Sequence, residues 1–147
     1  MKNFILYFWQ FPQNLLALCI LLLFRNKAKK EVYTFYPSSG IDKSDEQKSI
    51  TVWNIPGWKN GVSLGNYILL DLTVYGATTI KHENGHQKQS LILGPLYLFT
   101  VGFVSAICNN LWDRLFHKKW DSKKRINWYY SRWPENWADK LGGVKRN

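Results

Sequence analysis

Two histidines and a glutamate lie within the stretch His82-Glu83-Asn84-Gly85-His86. On a helix, residues four apart project from one face, so the imidazoles of His82 and His86 can bind one metal ion. Glu83 lies beside them and can take a proton from a metal-activated water. The chain has 3 histidines, and two of them fall in this pattern. The spacing therefore predicts a zinc site, against the alternative of a surface helix with incidental histidines.

A catalytic zinc site has a third protein ligand and leaves its fourth position for water. The longer pattern HExxHxxGxxH does not supply that ligand, because Gln89 and Ile92 occupy its glycine and histidine places. Glu135 is the leading candidate, and His117 and Asp113 are its rivals. The third ligand must therefore come from a part of the chain well beyond the histidines.

Further groups around the metal are expected in the C-terminal region. Asp139 lies four residues after Glu135 and so shares its helical face, where it can accept a hydrogen bond from a ligand histidine. The alternative for both carboxylates is a helix N-terminus that acidic residues stabilise. A donor to a developing oxyanion is expected among four side chains that the sequence does not rank: His117, Tyr129, Tyr130 and Arg132.

Three helices must position these groups. The pattern turns helical at Ala77, and the segment HENGHQKQSLIL fits a helix that ends at Gly94-Pro95. A second helix is predicted from about Leu96 to Phe116. The last helix begins near Pro134 and ends at Gly142-Gly143, in keeping with the preferences of proline and glycine for helix ends.

Strands are predicted between the N-terminal apolar run and the first of these helices. The stretch from Ile50 to Ile55 is β-branched and aromatic, and a second strand-like stretch lies around Tyr67 to Leu72. Residues 31–49 begin with alternating aromatic residues and pass into a polar loop. We expect a small sheet or hairpin pair, and the fold class is α+β.

Two apolar runs, Phe4 to Phe24 and Leu91 to Trp112, and a net charge of +10 point to membrane lipids. Basic clusters beside apolar runs favour anionic head groups. No zinc finger, RNA-binding motif or basic heptad helix is present to support nucleic-acid binding, which we do not expect. The basic residues that follow the two runs are Arg25, Lys27, Lys29, Lys30, Arg114, Lys118, Lys119, Lys123, Lys124 and Arg125.

The first run is about long enough to span the hydrocarbon as an N-terminal membrane helix. Pro12 and its polar neighbours (Gln10, Gln13 and Asn14) indicate that it is kinked or split, with a polar notch that faces protein or water. The second run cannot be a simple span if Glu135 and the histidines share one ion, because a crossing would separate them by roughly 30 Å. It is expected to re-enter or lie at the interface, with a break at Gly94-Pro95, or to be buried against the first run.

The segments HENGH and ENWAD together resemble the gluzincin pattern HExxH plus ExxAD of membrane-bound prenyl-protein and heat-shock-type zinc peptidases. The segments WQFPQNLL, GVSLGNYILL, KHENGHQKQSLILGPLYL and ENWADKLGGV resemble small bacterial membrane-associated proteins that carry HExGHxxQS and LGPLYL. The resemblance implies zinc on His82, His86 and Glu135, with Glu83 as general base. It thereby implies a metallopeptidase that acts on a peptide or protein.

The same resemblance implies zincin-like active-site helices beside the small sheet. A membrane-associated helix with a basic flank is then expected over residues 1–30, and a zincin-like domain over 31–147 that includes the apolar segment 91–112. Zincins hold substrate as an added strand at a sheet edge, a place that Tyr67 to Leu72 could supply here. The expected location is the bacterial inner membrane. The alternative is a non-catalytic membrane interaction or assembly protein with a structural or vestigial zinc site, although such a site has no need of Glu83.

Overall fold

The computed structural model describes residues 2–35 and 48–146. Most of the polar loop predicted within 31–49 falls on residues 36–47 and lies outside this description. The described chain is α+β, as predicted, with six α-helices and one mixed sheet of four strands. The helices that carry the expected site residues follow the sheet in the chain.

The elements that the sequence predicts begin and end close to the predicted positions. The α-helices are α1 (Lys2–Trp9), α2 (Phe11–Leu23), α3 (Ala77–Leu93), α4 (Asn110–Phe116), α5 (Ser122–Ser131) and α6 (Glu135–Gly142). The strands are β1 (Lys29–Phe35), β2 (Lys48–Asn54), β3 (Val62–Leu64) and β4 (Tyr67–Leu70). Between α3 and α4 the chain stays helical through one 3₁₀ turn, Gly94–Leu96, and two π-helical stretches, Leu98–Gly102 and Val104–Asn109.

The strand order in the sheet is β1-β2-β4-β3. β2 and β4 pair in parallel, whereas β1 with β2 and β3 with β4 pair antiparallel. β4 is therefore an interior strand, and the prediction that Tyr67 to Leu72 offers a free edge is wrong. The two-residue turn Gly65-Asn66 folds β3 back along β4, so the edge belongs to β3. Its three residues are too few to give a recognisable strand pattern.

The sheet has a hydrophobic core on each face. α2 contributes Ala17 and Leu21 to one core, and α3 contributes Ile80 to the other. α2 therefore packs against the sheet. The remaining buried members are Ile55, Leu64 and Leu69 beside α2, and Ile50, Val52, Ile68 and Leu70 beside α3.

The N-terminal run is split at Gln10, and its polar notch faces protein, as the sequence indicated. Gln10 Nε2 donates to Ser90 Oγ at 2.8 Å, and Gln13 Nε2 donates to the carbonyl oxygen of Gly94. Asn14 is also fully buried. These bonds tie α1 and α2 to the C-terminal end of α3.

The predicted break at Gly94-Pro95 is confirmed. Gly94 has φ +54, and a Cβ there would lie 2.2 Å from the Trp9 ring, so a residue with a side chain would be both strained and obstructed. Among the described residues, no single helix is long and apolar enough to cross a membrane. Two consecutive helical segments, Ala77–Leu96 and Leu98–Phe116, are long and apolar enough only when taken together, and they meet at a bend of 111°.

Candidate metal centre

The site forms where α6 crosses α3 with their backbones in contact. Two glycines make this possible, one on each helix. A Cβ on Gly85 would lie 1.9 Å from the carbonyl oxygen of Ala138, and a Cβ on Gly142 would lie 2.1 Å from that of Lys81. Lys88 also donates to the last turn of α6. The close approach brings the carboxylates of α6 to the histidines of α3.

Three buried side chains converge at this crossing: His82, His86 and Glu135. Nε2 of His82 and Nε2 of His86 are 3.1 Å apart. Oε2 of Glu135 lies 3.0 Å from the first nitrogen and 3.2 Å from the second. The three atoms thus form a nearly equilateral triangle, and the residues are 1–7% exposed.

Asp139 holds the His82 ring, as the sequence predicted. Its Oδ1 lies 2.7 Å from His82 Nδ1, and the Arg146 guanidinium binds both of its oxygens at 2.6 and 3.0 Å. Burial opposes ionisation of Asp139, but hydrogen bonds from His82 and Arg146 keep the pKa of this carboxyl below its usual value. The ionised carboxylate accepts the proton of Nδ1, so Nε2 is the nitrogen of His82 that can bind a metal ion.

Gln89 orients the second histidine. Its Nε2 donates to the carbonyl oxygen of Pro134 at 2.9 Å, which turns its Oε1 toward His86 Nδ1 at 2.7 Å. Because Oε1 can only accept, His86 carries its proton on Nδ1 and presents a lone pair at Nε2. Both histidines therefore direct Nε2 toward Oε2 of Glu135.

Three lone pairs about 3 Å apart repel one another unless a positive charge lies among them. Burial lowers the pKa of His82, but its hydrogen bonds to Asp139 and Glu135 raise it to about 9, so a proton can supply that charge. A metal ion fits the same place, because tetrahedral ligands about 2.0–2.1 Å from an ion are about 3.3 Å apart. The buried group of His82, His86 and Glu135 could thus hold a metal ion.

The other oxygen of Glu135 has its own partner. The Tyr129 hydroxyl donates to Oε1 at 3.1 Å and lies 3.1 Å from Ser105 Oγ. Burial opposes ionisation of Glu135, but hydrogen bonds from His82 and His86 hold the pKa of its carboxyl well below the usual range. Glu135 is therefore ionised, with Oε1 engaged and Oε2 available to an ion.

Glu83 lies beside the triangle and is 5% exposed. Burial raises the pKa of its carboxyl, while the fields of His86 and His82 lower it. Across residues 2–35 and 48–146 its carboxylate has no hydrogen-bond partner. Gly61 borders it closely, since a Cβ there would lie 2.5 Å from Glu83 Oε1. Glu83 is thus a free acceptor next to the ligand atoms.

The site lines a cavity of about 870 Å³. The wall includes Glu83 and Tyr130 beside the three ligand residues, and β3 forms a second part of it. The Tyr130 ring packs edge-on against His82 at 5.0 Å, with the Arg146 guanidinium 3.3 Å from its centre. A fourth ligand position can therefore open toward a space large enough for a peptide segment.

Three of the residues weighed from the sequence lie away from the ligand atoms. Asp113 is paired with Arg125 at 2.5 Å, on a distant part of the cavity wall. His117 packs against two tryptophan rings, and Arg132 is exposed over one of them. Neither side chain lines the cavity, whereas Tyr129 and Tyr130 do. Tyr129 is engaged with Glu135, which leaves Tyr130.

Apart from Asp139, sequence reasoning missed the groups that orient the ligands. Gln89 figures there only as a departure from a longer motif, although its place three residues after His86 puts it on the same helical face. The hydroxyl of Tyr129, one of the four candidate oxyanion donors, binds Glu135. Arg146 comes from beyond the last helix, and nothing in the sequence signals its pairing with Asp139.

Comparisons with protein-family models, with curated proteins and with solved structures find no match for this chain. The functional conclusion therefore comes from the chemistry of the site. The relevant features are two oriented imidazoles, two oriented carboxylates, one free carboxylate and the cavity that joins them.

Proposed function

We propose that this protein is a zinc-dependent hydrolase with a zincin-like site that cleaves peptide bonds. The observation that carries the proposal is the triangle of ligand atoms from His82, His86 and Glu135. Each of these atoms can offer a lone pair to a metal ion, because a different residue engages the other polar atom of the same side chain. Such orientation of metal ligands by their neighbours is typical of metal sites.

The donor set favours zinc over harder or softer ions. Two imidazole nitrogens and one carboxylate oxygen are the ligands of many hydrolytic zinc sites. Calcium and magnesium prefer oxygen ligands, and copper(I) prefers sulfur. A bound zinc ion would supply Lewis acidity, which lowers the pKa of water and polarises a carbonyl.

Glu83 is the group of the chain that moves the proton. Glu83 lines the same cavity as the ligand residues, and its carboxyl lies within the fields of His86 and His82. It can accept a proton from the attacking water and deliver it to the leaving amine. The Tyr130 hydroxyl, which has no hydrogen-bond partner in the described part of the chain, is the candidate donor to the oxyanion.

The edge of β3 is the place for the substrate backbone. Val62, Ser63 and Leu64 line the cavity, and β3 pairs only with β4 among the described strands. The Tyr97 hydroxyl already donates to the carbonyl oxygen of Ser63 at 3.1 Å. A bound strand would therefore form few backbone hydrogen bonds here, and we expect side-chain contacts within the cavity to contribute most of the selectivity.

The proposal is tested by metal analysis together with a paired set of glutamate variants. Purified protein should hold close to one zinc per chain and lose it in His86→Ala. Glu83→Gln should keep zinc and lose hydrolysis of a general peptide library by at least about 100-fold. Glu31→Gln makes the same chemical change on the exposed surface of β1 and should leave both properties unchanged.

The outcomes separate catalysis from the alternative of a structural or vestigial zinc site. Zinc in wild type with no hydrolysis of any library peptide would favour that alternative. Full activity in Glu83→Gln would remove Glu83 as the base. Absence of zinc from protein purified without chelators would overturn both zinc assignments.

A further inference from the structure

We infer that the exposed apolar side of α1, α2 and the Leu98–Phe116 segment, here called the apolar face, rests on an anionic bilayer surface. On α1 and α2 it is represented by Phe4 and Leu22, each 68% exposed. On the later segment it is represented by Phe99, which is 77% exposed. Contiguous apolar surface of this kind on a protein marks an interaction site.

The inner side of α2 carries polar residues near its start and the core residues Ala17 and Leu21 further along, whereas its outer side is apolar. Gln13 and Asn14 are fully buried, while Leu15 and Leu22 are exposed. A helix on a water-soluble surface carries polar side chains on its outer side. An outer side of leucine and phenylalanine is stable against the apolar part of a bilayer.

The Leu98–Phe116 segment repeats this polarity. Phe99, Phe103 and Ile107 follow one another at intervals of four residues and are exposed. The inward side carries Ser105, which bonds to a tyrosine hydroxyl, and Asn109, which donates to the carbonyl oxygen of Trp133 at 3.1 Å. Two separate helical stretches therefore present apolar side chains outward and bury polar side chains on the inward side.

The two stretches adjoin at the end of α3. Trp9 Nε1 donates to the carbonyl oxygen of Leu91 at 3.0 Å, and the Trp9 ring packs over Gly94. Ile92 and Leu96 are exposed at this junction. The apolar face is therefore continuous from α1 across the bend to the later segment.

Charge selects an anionic bilayer as the occupant. Exposed basic residues follow both parts of the apolar face, among them Arg25 and Lys27 after α2 and Lys118 and Lys119 after α4. These cations would lie near lipid phosphates, to which an anionic surface attracts them. A second copy of the chain would bring like charges together, since the net charge is +10.

The helix dimensions indicate that the protein lies in the interface. α2 has 13 residues and is about 20 Å long, short of the roughly 30 Å of hydrocarbon. The bend of 111° gives the two parts of the Ala77–Phe116 region different directions. An apolar face of this kind rests at the boundary between head groups and acyl chains.

The apolar face also affects how a peptide substrate reaches the metal centre, and this consequence rests on the proposed hydrolysis. Leu16, Phe103 and Ile107 are exposed and at the same time line the cavity. When the apolar face rests on the bilayer, this side of the cavity lies beside the lipid surface. Peptides that are themselves bound at the membrane surface would then reach the site at high local concentration.

The test is flotation of the full chain with lipid vesicles, which needs no hydrolysis and so is independent of the proposed activity. One set of vesicles contains phosphatidylcholine alone, and the other has about a third of it replaced by phosphatidylglycerol. Wild type should float with the anionic vesicles and bind them at least about tenfold more tightly than the neutral ones. Equal binding to both sets would overturn the choice of an anionic surface, and absence of binding would overturn the inference.

Matched variants locate the binding surface. Phe99→Asp should weaken binding to anionic vesicles at least about tenfold, because it removes a large apolar side chain and adds a like charge. Val74→Asp is also at an exposed apolar position, 69% exposed, but lies outside the apolar face and should change binding less than about twofold. Circular dichroism checks that both variants keep the wild-type helix content. Equal effects of the two variants, or a lipid-free dimer that buries Phe99, would overturn the assignment.

Discussion

The close contact between α3 and α6 predicts that Gly85→Ala disrupts the metal centre without touching a ligand. The added Cβ would lie 1.9 Å from the carbonyl oxygen of Ala138, and ordinary contact begins near 3.4 Å. The two helices would have to separate by roughly 1.5 Å to admit it. The nearest obstacle is backbone, which cannot rotate away as the end of a side chain can.

The expected magnitudes follow from this displacement. Glu135 is on α6 and the histidines are on α3, so separation of the helices moves one ligand away from the other two. A zinc–oxygen bond is about 2.0–2.2 Å long and cannot stretch by roughly 1.5 Å, so we expect zinc affinity to fall at least about 100-fold. Overpacking costs about 1–3 kcal/mol, partly offset by the gain of about 1 kcal/mol in helix propensity.

The assay is a competition titration with a chromophoric chelator, followed by urea unfolding of the metal-free protein. Gly102→Ala is the matched control, because a Cβ there meets its nearest neighbour at 3.7 Å. It should keep wild-type zinc affinity and gain up to about 1 kcal/mol in the free energy of unfolding. Wild-type zinc affinity in Gly85→Ala, together with a gain in stability like that of the control, would refute the backbone-contact argument.

Three further predictions concern groups that act through hydrogen bonds. Arg146→Ala removes the bidentate partner of Asp139 and should lower zinc affinity about 10–100-fold in the same titration, without a change in ligand number. Tyr129→Phe leaves Oε1 of Glu135 without its donor and should lower zinc affinity about threefold to tenfold. Asp71→Asn should reduce the loss of unfolding free energy on acidification, because hydrogen bonds from the Thr73 hydroxyl and from backbone N–H groups lower the Asp71 pKa from 3.8.

The sign of the last prediction follows from the direction of that shift. A carboxyl whose pKa is lower in the folded chain contributes stability above its unfolded value, and this contribution is lost as the pH falls. Urea unfolding at neutral pH and below pH 3.8 measures it. An identical acid dependence in wild type and Asp71→Asn would contradict this role for Asp71.

The two zinc predictions have their own controls. Lys145→Ala removes a neighbouring cation that binds no described carboxylate, and it should leave zinc affinity unchanged. A similar loss in Lys145→Ala and Arg146→Ala would attribute the effect to overall charge. Arg146→Lys should restore only part of the affinity, because an ammonium cannot form the bidentate pair. An unaltered affinity in Tyr129→Phe would show that the remaining contacts suffice to orient Glu135.

Local signals in the chain were enough for the site helices and for most of the sheet. Once a helix is expected, the i, i+4 spacing of His82 and His86 places both side chains on one face. Gly94-Pro95 and Gly142-Gly143 mark where helices end. β3 was missed because three residues carry no periodicity, and the free edge was therefore placed on the wrong strand.

The sequence by itself determined which chemistry is available, because ligand type and spacing along one helix are local properties. His82, Glu83 and His86 lie close together because all three are on α3. Only the tertiary structure decided that Glu135, and neither Asp113 nor His117, completes the triangle. That choice depends on where α6 crosses α3, which is set by the backbone contact at Gly85 and by nonlocal hydrogen bonds such as the one from Gln89. Contacts between residues about 50 positions apart have no sequence period to reveal them, so the orientation of the ligands appears only in the folded chain.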